Sequence, residues 1–303
     1  MKSGKPALLT KDQMPPWYQI DSFINTGYRP IMPSFKKCVE SLFYIHNETG
    51  SIYTHAIGVP IVLALAVHSF GPVMHHLELT GVGWEDIVIF SMYHIFHLIC
   101  YWNSAVFHTF CCHSQTVNHN CLMADLLGIC ASLSANFLAY MYYGFYCEES
   151  TKFVYMSCFT ALACATVAVN TFKRFMDPKY SILRMGLFLA FGYSGLIPMV
   201  HILWKHGLEY TQRSLGLNYM LLMAITNTTG AVCFGFKIPE RYFPITFDFW
   251  GNSHQIMHVM VLAGNVFLYF GLAESFRFWH TLNGTCSVDI GSMNVTSYDP
   301  WFI

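Results

Sequence analysis

The chain has 303 residues, 54% hydrophobic and 17% aromatic, yet only 11% are charged, against about 25% in an ordinary soluble domain. Sixteen Lys and Arg balance seventeen Asp and Glu, so there is no basic field for nucleic acid and no charge excess of the kind that keeps a chain disordered. What remains is a polytopic membrane protein with one oddity, fifteen histidines in a chain that otherwise avoids ionisable groups.

The first fifty residues read as a soluble arm without the apolar run of a signal peptide. Within it, residues 33–46 follow a helical period. Phe35, Cys38, Val39, Leu42 and Phe43 share one face and Lys36, Lys37 and Glu40 the other, the pattern of a short amphipathic helix, either on the cytosolic membrane surface or solvated before the first span. Seven apolar runs follow, each near the ~20 residues that cross the hydrocarbon core: Ser51–Gly71, Ile87–Phe110, Asn120–Tyr146, Phe153–Phe172, Met185–Leu203, Leu217–Phe236 and Ser253–Leu272. The expected fold is an all-α membrane protein, a seven-transmembrane helix bundle at 51–275, preceded by the arm at 1–50 and followed by a tail at 276–303. With short connections, no segment outside the spans is expected to hold a second core.

Lys and Arg set the orientation. Lys2, Lys5, Lys11, Arg29, Lys36 and Lys37 in the arm share a side with Lys173, Arg174, Lys179, Arg184, Lys237 and Arg241, against Lys152, Lys205, Arg213 and Arg277 opposite. The positive-inside rule then places the N-terminus in the cytosol and the C-terminus outside or in a lumen. Glycosylation sequons at Asn283 and Asn294 agree, since both fall in the outer tail; Asn47, on the cytosolic side, is expected to stay bare. This topology is the reverse of a G-protein-coupled receptor.

Three spans carry polar faces. His94, His97, Tyr101, Ser104 and His108 are spaced 3, 4, 3 and 4 residues apart in the second, Asp125, Ser132 and Asn136 line one face of the third, and His254, His258 and Asn265 one face of the seventh. Lipid satisfies no polar group, so these faces turn into the bundle. The orientation brings His108, Asp125, His254 and His258 to one cytosol-proximal level. His254 and His258, one turn apart, and His108 make a three-histidine set for zinc with a fourth position for water. Three neutral ligands leave zinc its double charge, which lowers the pKa of that water to ~7 and yields a hydroxide nucleophile at neutral pH. Asp125, the one carboxylate inside these spans, suits a base that orients the water, and Ser104 a donor to an oxyanion. His94 and His97 read instead as interior hydrogen-bond partners. Cys111, Cys112, His113, His119 and Cys121 form a rival cluster, but it lacks a C-x-x-C pair, and the adjacent Cys111 and Cys112 read better as buried or palmitoylated thiols. Of the 11 cysteines, only Cys147 and Cys286 fall on the outer side, which leaves a bridge between them open.

Together, Ser104-Ala-Val-Phe-His108, Asp125 seventeen residues on, and Ser253-His254-Gln255-Ile256-Met257-His258 resemble the progestin and adipoQ receptor family, seven-span relatives of the alkaline ceramidases. The stretches NETGSIYTH from Asn47 and PERYFP from Pro239 belong to the same resemblance, which runs from Thr26 to about Phe270. It implies zinc on His108, His254 and His258, Asp125 binding the metal through water, and a lipid amide substrate, ceramide foremost, cleaved to a sphingoid base and a fatty acid. Ser51 departs from several relatives, which carry Asn, and leaves a polar contact near His55 open. Two functions compete: a zinc-dependent lipid amidase acting in the bilayer, and a non-enzymatic receptor or scaffold whose zinc is structural. A transporter using the polar stripes is a third, disfavoured because the polar residues concentrate at one end.

Overall fold

The computed structural model describes residues 6–18, 21–75, 81–172, 180–281 and 286. The tail sequons and Lys2, Lys5, Lys173, Arg174 and Lys179 of the charge tally lie outside them. The described residues form helices and no strand. Helix α1 covers Phe35–Glu40, α2 Thr49–His68, α3 Trp84–Phe110, α4 Gln115–Gly144, α5 Glu149–Thr171, α6 Ser181–Tyr193, α7 Leu196–Leu215, α8 Leu217–Phe236 and α9 Ser253–Thr281.

Among the described residues, six segments are long and apolar enough to cross a membrane: Thr49–Val73, Gln115–Gly144, Glu149–Thr171, Gly186–Leu215, Leu217–Phe236 and Ser253–Thr281. Helix α3 has the length, at 27 residues, but its polar stripe lowers its mean hydropathy. All five stripe residues, His94, His97, Tyr101, Ser104 and His108, are buried, while Ile87, Val88, Ile95, Ile99 and Trp102 are exposed on its outer face. Polar inside and apolar outside is the inverse of a water-soluble helix.

Several expected boundaries move. The run 185–203 is broken between α6 and α7 at Ser194 and Gly195, and α7 kinks again at Gly207, where φ is +79°, a backbone state suited to glycine. Helix α9 runs through Thr281, so the expected boundary of the tail at 276 falls inside a helix. The amphipathic segment is helical only over Phe35–Glu40 and then tightens into a 3-10 turn at Ser41–Phe43. Its Cys38 is buried, whereas Phe35, Val39 and Phe43 are exposed.

Helices α3 and α4 pack closely because Gly128 permits it: a Cβ there would stand 2.9 Å from Cys100 Cα. At the end away from the arm, Asp86 of α3 accepts from Tyr143 Oη (2.7 Å) and His280 Nε2 (3.1 Å), tying α3 to α4 and α9. A disulfide joins Cys147 to Cys286 at this end. The main apolar core also lies here, rich in aromatics such as Phe90, Tyr143, Phe276 and Trp279. The arm is not a free extension. Met14, Tyr18, Ile24, Tyr28, Met32 and Cys38 form a second small core with Phe107, Cys111 and Cys112 at the end of α3. It is not legible in the arm's sequence because a third of its residues come from the bundle.

Substituting Gly128→Leu should lower the thermal midpoint in detergent, since overpacking a tight contact costs about 1–3 kcal/mol. The same change at Gly186, where a Cβ meets nothing within 4 Å, should leave the midpoint near wild type.

Candidate metal centre

His108 stands in the last turn of α3, and His254 and His258 open α9. Their ligand-type nitrogens all lie within 4.8 Å of one another, and among the described residues no other group of three His, Cys, Asp or Glu residues is assembled in this way. The ring centroids are 5.0 Å (His108 to His254), 5.1 Å (His108 to His258) and 4.5 Å (His254 to His258) apart.

Hydrogen bonds at the opposite ring nitrogens aim two of these imidazoles. His108 Nδ1 donates to Glu48 Oε2 at 2.7 Å, which leaves His108 Nε2 buried with no partner. His258 Nδ1 lies 3.3 Å from the Ser51 carbonyl and 3.2 Å from Thr54 Oγ1, so its Nε2 is likewise turned inward as an acceptor. The contact from position 51 is made by the backbone, so having Ser rather than Asn there does not alter it. Glu48 lies just before α2. Burial works against its charge, but the hydrogen bond from His108 and the nearby guanidinium of Arg29 prevail and hold the carboxyl down at about 2.

The helix ends that carry the histidines are themselves fixed. Arg29, fully buried, donates to the carbonyls of His108 and Thr109 and to Ser41 Oγ, so it caps α3 where carbonyls lack helical partners and the dipole is negative. At the start of α9, Glu240 accepts from the Ser253 backbone N–H at 2.8 Å and from its hydroxyl, and Asn252 Oδ1 accepts from Gln255 N at 3.1 Å. These are N-cap contacts, and they explain the PERYFP and GNSHQ stretches. Gly50 lets α2 meet α9, since a Cβ there would lie 2.3 Å from the Gln255 side chain.

Three neutral imidazoles, one with an orphaned buried nitrogen directed at the shared point, form a donor set that fits zinc. Asp125 lies in the third turn of α4, beside Ser104 and within electrostatic reach of His108, but outside the three-histidine cluster. Ser104 Oγ is buried without a hydrogen-bond partner. The rival cluster does not assemble. Cys111 Sγ contacts Tyr18 Oη and Arg29, and Cys112 Sγ lies 3.8 Å from Cys38 Sγ. All three thiols are buried, so none is open to acylation.

Two residues went unread in the sequence. One is Glu48, whose partner is distant in the chain. The other is His55 of α2, stacked on His258 with centroids 3.6 Å apart and planes within 10°. A cavity of about 420 Å³ extends from His108 and His254 to the arm, walled by Tyr18, Asp21, Tyr28, Glu48 and Lys237. Lys237 Nζ pairs with Asp21 Oδ2 at 2.6 Å, and Asp248 holds the backbone N–H groups of Asn25 (3.2 Å) and Thr26 (2.8 Å). The arm is thereby fixed over the histidines as a roof.

Removing Glu48 should loosen His108 before it changes the fold. Glu48→Ala is expected to weaken metal retention about 10–100-fold, the usual cost of losing a partner behind a ligand, with Glu48→Gln intermediate. Metal content after graded chelator competition, read by elemental analysis, checks this.

The pattern of the haemolysin-III-related family matches residues 43–269. The chain is 32% identical over 277 residues to the adiponectin receptor protein of Drosophila melanogaster, covering 91% of this chain and 61% of that one. It is 31% identical over 281 residues to progestin and adipoQ receptor-like protein 1 of Caenorhabditis elegans, covering 93% and 63%. With the ADIPOR-like receptor IZH1 of Eremothecium gossypii it shares 32% identity over 273 residues, covering 89% and 85%. The chain thus spans less than two thirds of the first two relatives and most of the third. On the extent of this match, the chain belongs to the haemolysin-III-related family of membrane proteins, the family of the progestin and adipoQ receptors.

Proposed function

We propose that the protein is a zinc-dependent hydrolase of lipid amides, with ceramide as the leading substrate, cleaved to a sphingoid base and a fatty acid. The observation that carries this reading is the convergence of three imidazoles, His108 and His258 buried and His254 half-buried, beside Ser104 and Asp125. A purely structural site needs neither an unpartnered hydroxyl nor a half-buried carboxyl at its edge.

The proposed topology has seven spans, α6 and α7 together forming one and α3 another, with the arm in the cytosol. The two-faced character of α3 supports its crossing. The free cysteines Cys38, Cys111 and Cys112 at the arm end and the disulfide at the other suit a reducing cytosol and an oxidising outer side. The histidines then lie near the cytosolic surface. A long-chain amide can reach them while its tails stay in lipid, and the 420 Å³ cavity admits water from the arm side.

When bound, zinc supplies a Lewis acid that polarises a carbonyl and acidifies water. The protein's own groups do the rest. His108, steadied through Nδ1 by Glu48, and His258, steadied by the Ser51 carbonyl, fix where the carbonyl carbon is presented. An Asp125 carboxylate oxygen takes the proton of the attacking water and returns it to the departing amine nitrogen. The Ser104 hydroxyl donates to the carbonyl oxygen as negative charge builds there. Burial excludes competing water from these contacts.

The relatives' names, adiponectin receptor and progestin and adipoQ receptor-like protein, favour a second reading, a receptor in which the same histidines hold a structural metal. One experiment separates the two: fatty-acid release from ceramide in detergent or vesicles, with metal content measured on the same samples. Ser104→Ala should lose about 10²-fold in turnover and Asp125→Ala about 10²–10⁴-fold, both with metal retained, while His254→Ala should lose metal and turnover together. Metal without release above the Asp125→Ala control would overturn the hydrolase reading in favour of the receptor.

A further inference from the structure

The polar stripe of α3 continues beyond the metal centre. Tyr101 Oη accepts from Asn265 Nδ2 at 2.7 Å, Tyr93 Oη donates to the Asn265 carbonyl at 2.7 Å, and His97 Nδ1 donates to the Tyr93 carbonyl at 2.7 Å. Farther on, Ser69 Oγ lies 2.7 Å from His94 Nε2 and 3.1 Å from Tyr269 Oη, which in turn lies 2.6 Å from His68 Nδ1. These groups run along the seam where α2, α3 and α9 meet. At the inner end, the Tyr101 ring is 5.2 Å from His55, which stacks on His258. The 13-residue interval from His55 to His68 is about 20 Å of helix, two thirds of a ~30 Å hydrocarbon core.

Two features set this seam apart from ordinary helix-to-helix glue. Both ring nitrogens of His55, Nδ1 of His94 and Nε2 of His97 are buried with no partner in the protein. Lipid offers none, and internal water is what such groups hold in folded proteins. The residue types are also telling. Small hydroxyl and amide side chains suffice to join helices, whereas imidazole and phenol each donate and accept, and imidazole binds and releases a proton near neutral pH.

We infer that the seam is a hydrated proton relay, running from His68 at one end of the bundle to Tyr101 beside the metal centre. A proton arriving at His68 Nε2 releases the Nδ1 proton to the Tyr269 oxygen. Rotation of the Tyr269 and Ser69 hydroxyls passes a proton on to His94 Nε2, and His94 Nδ1 gives one up to water. His97 keeps its Nδ1–H on a carbonyl, so it accepts and returns the proton at Nε2, between water on the His94 side and water on the Tyr101 side. Every proton taken up is matched by one released, and no bond between heavy atoms and no electron changes hands. On the arm side a cavity lined by His108 and His254 opens toward the surface, and the proposed crossing requires internal water to join it to Tyr101. The relay holds whichever chemistry the metal centre performs.

The test uses the full chain in liposomes carrying an internal pH dye, with a potassium gradient and valinomycin setting the membrane potential. Proton uptake should exceed that of protein-free vesicles, and Tyr269→Phe and His97→Leu should each abolish the excess. Ser275→Ala, off the seam with its hydroxyl on the Gly271 carbonyl, should retain it. Tyr269→Phe keeps the ring and its packing, so it carries the test if His97→Leu fails to fold; its thermal midpoint and metal content are read alongside. Uptake equal to protein-free vesicles, or an excess unchanged in Tyr269→Phe, overturns the proposal.

Discussion

A guanidinium sealed from water is costly unless its donors are used, and Arg29 spends three of its four contacts on one place, the end of α3, and the fourth on the arm. It reaches the carbonyls of His108 and Thr109, the hydroxyl of Ser41 and the sulfur of Cys111. One side chain thereby ends a helix and docks the arm. Much of the histidine-bearing end follows from that docking: the small core around Tyr18 and Tyr28, the course of residues 21–28 over the cavity, and the approach of Glu48 to His108. The arm is thus part of the architecture that holds the histidines, although it lies outside the helices that carry them.

The bundle divides its labour along its length. Toward Cys147 it is held by aromatic packing and by one buried carboxylate, Asp86, shared among three helices. Toward the arm, polar groups replace aromatics, and the two helix ends that carry the histidines are held by residues from other segments: Arg29 for α3, Glu240 for α9. Preorganisation of this kind leaves the imidazoles little freedom before any ligand arrives. His108 and His258 are oriented by a carboxylate and a carbonyl, which set position without competing for the shared point.

Helical periodicity made the centre of the site readable in the sequence. The interval from His254 to His258 and the 3-and-4 spacing of α3 both convert directly into a face, and the structure turns those faces inward. The supporting residues were hidden for a physical reason. Glu48 resembles any charge flanking a span, and its partner is sixty positions away; Arg29 counts in a topology tally as one more positive charge. His55 stands alone on α2, with no periodic companion to announce it. The break between α6 and α7 was invisible because an apolar run reads the same whether or not the backbone turns within it. The polar stripe that made α3 conspicuous also leaves it short of the apolarity of the other long helices.

The Cys147–Cys286 link has a topological consequence. With its ends 139 positions apart, it makes the chain a lasso whose ring contains α5 to α9 and whose stem contains the arm and α2 to α4. His254 and His258 belong to the ring, while His108 and Glu48 belong to the stem. Ring and stem are therefore stitched covalently at one end of the bundle and meet through imidazoles at the other. A backbone cut anywhere in the ring would leave a single molecule, whereas a cut in the stem between α2 and α3 would release the piece carrying Glu48 from the one carrying His108.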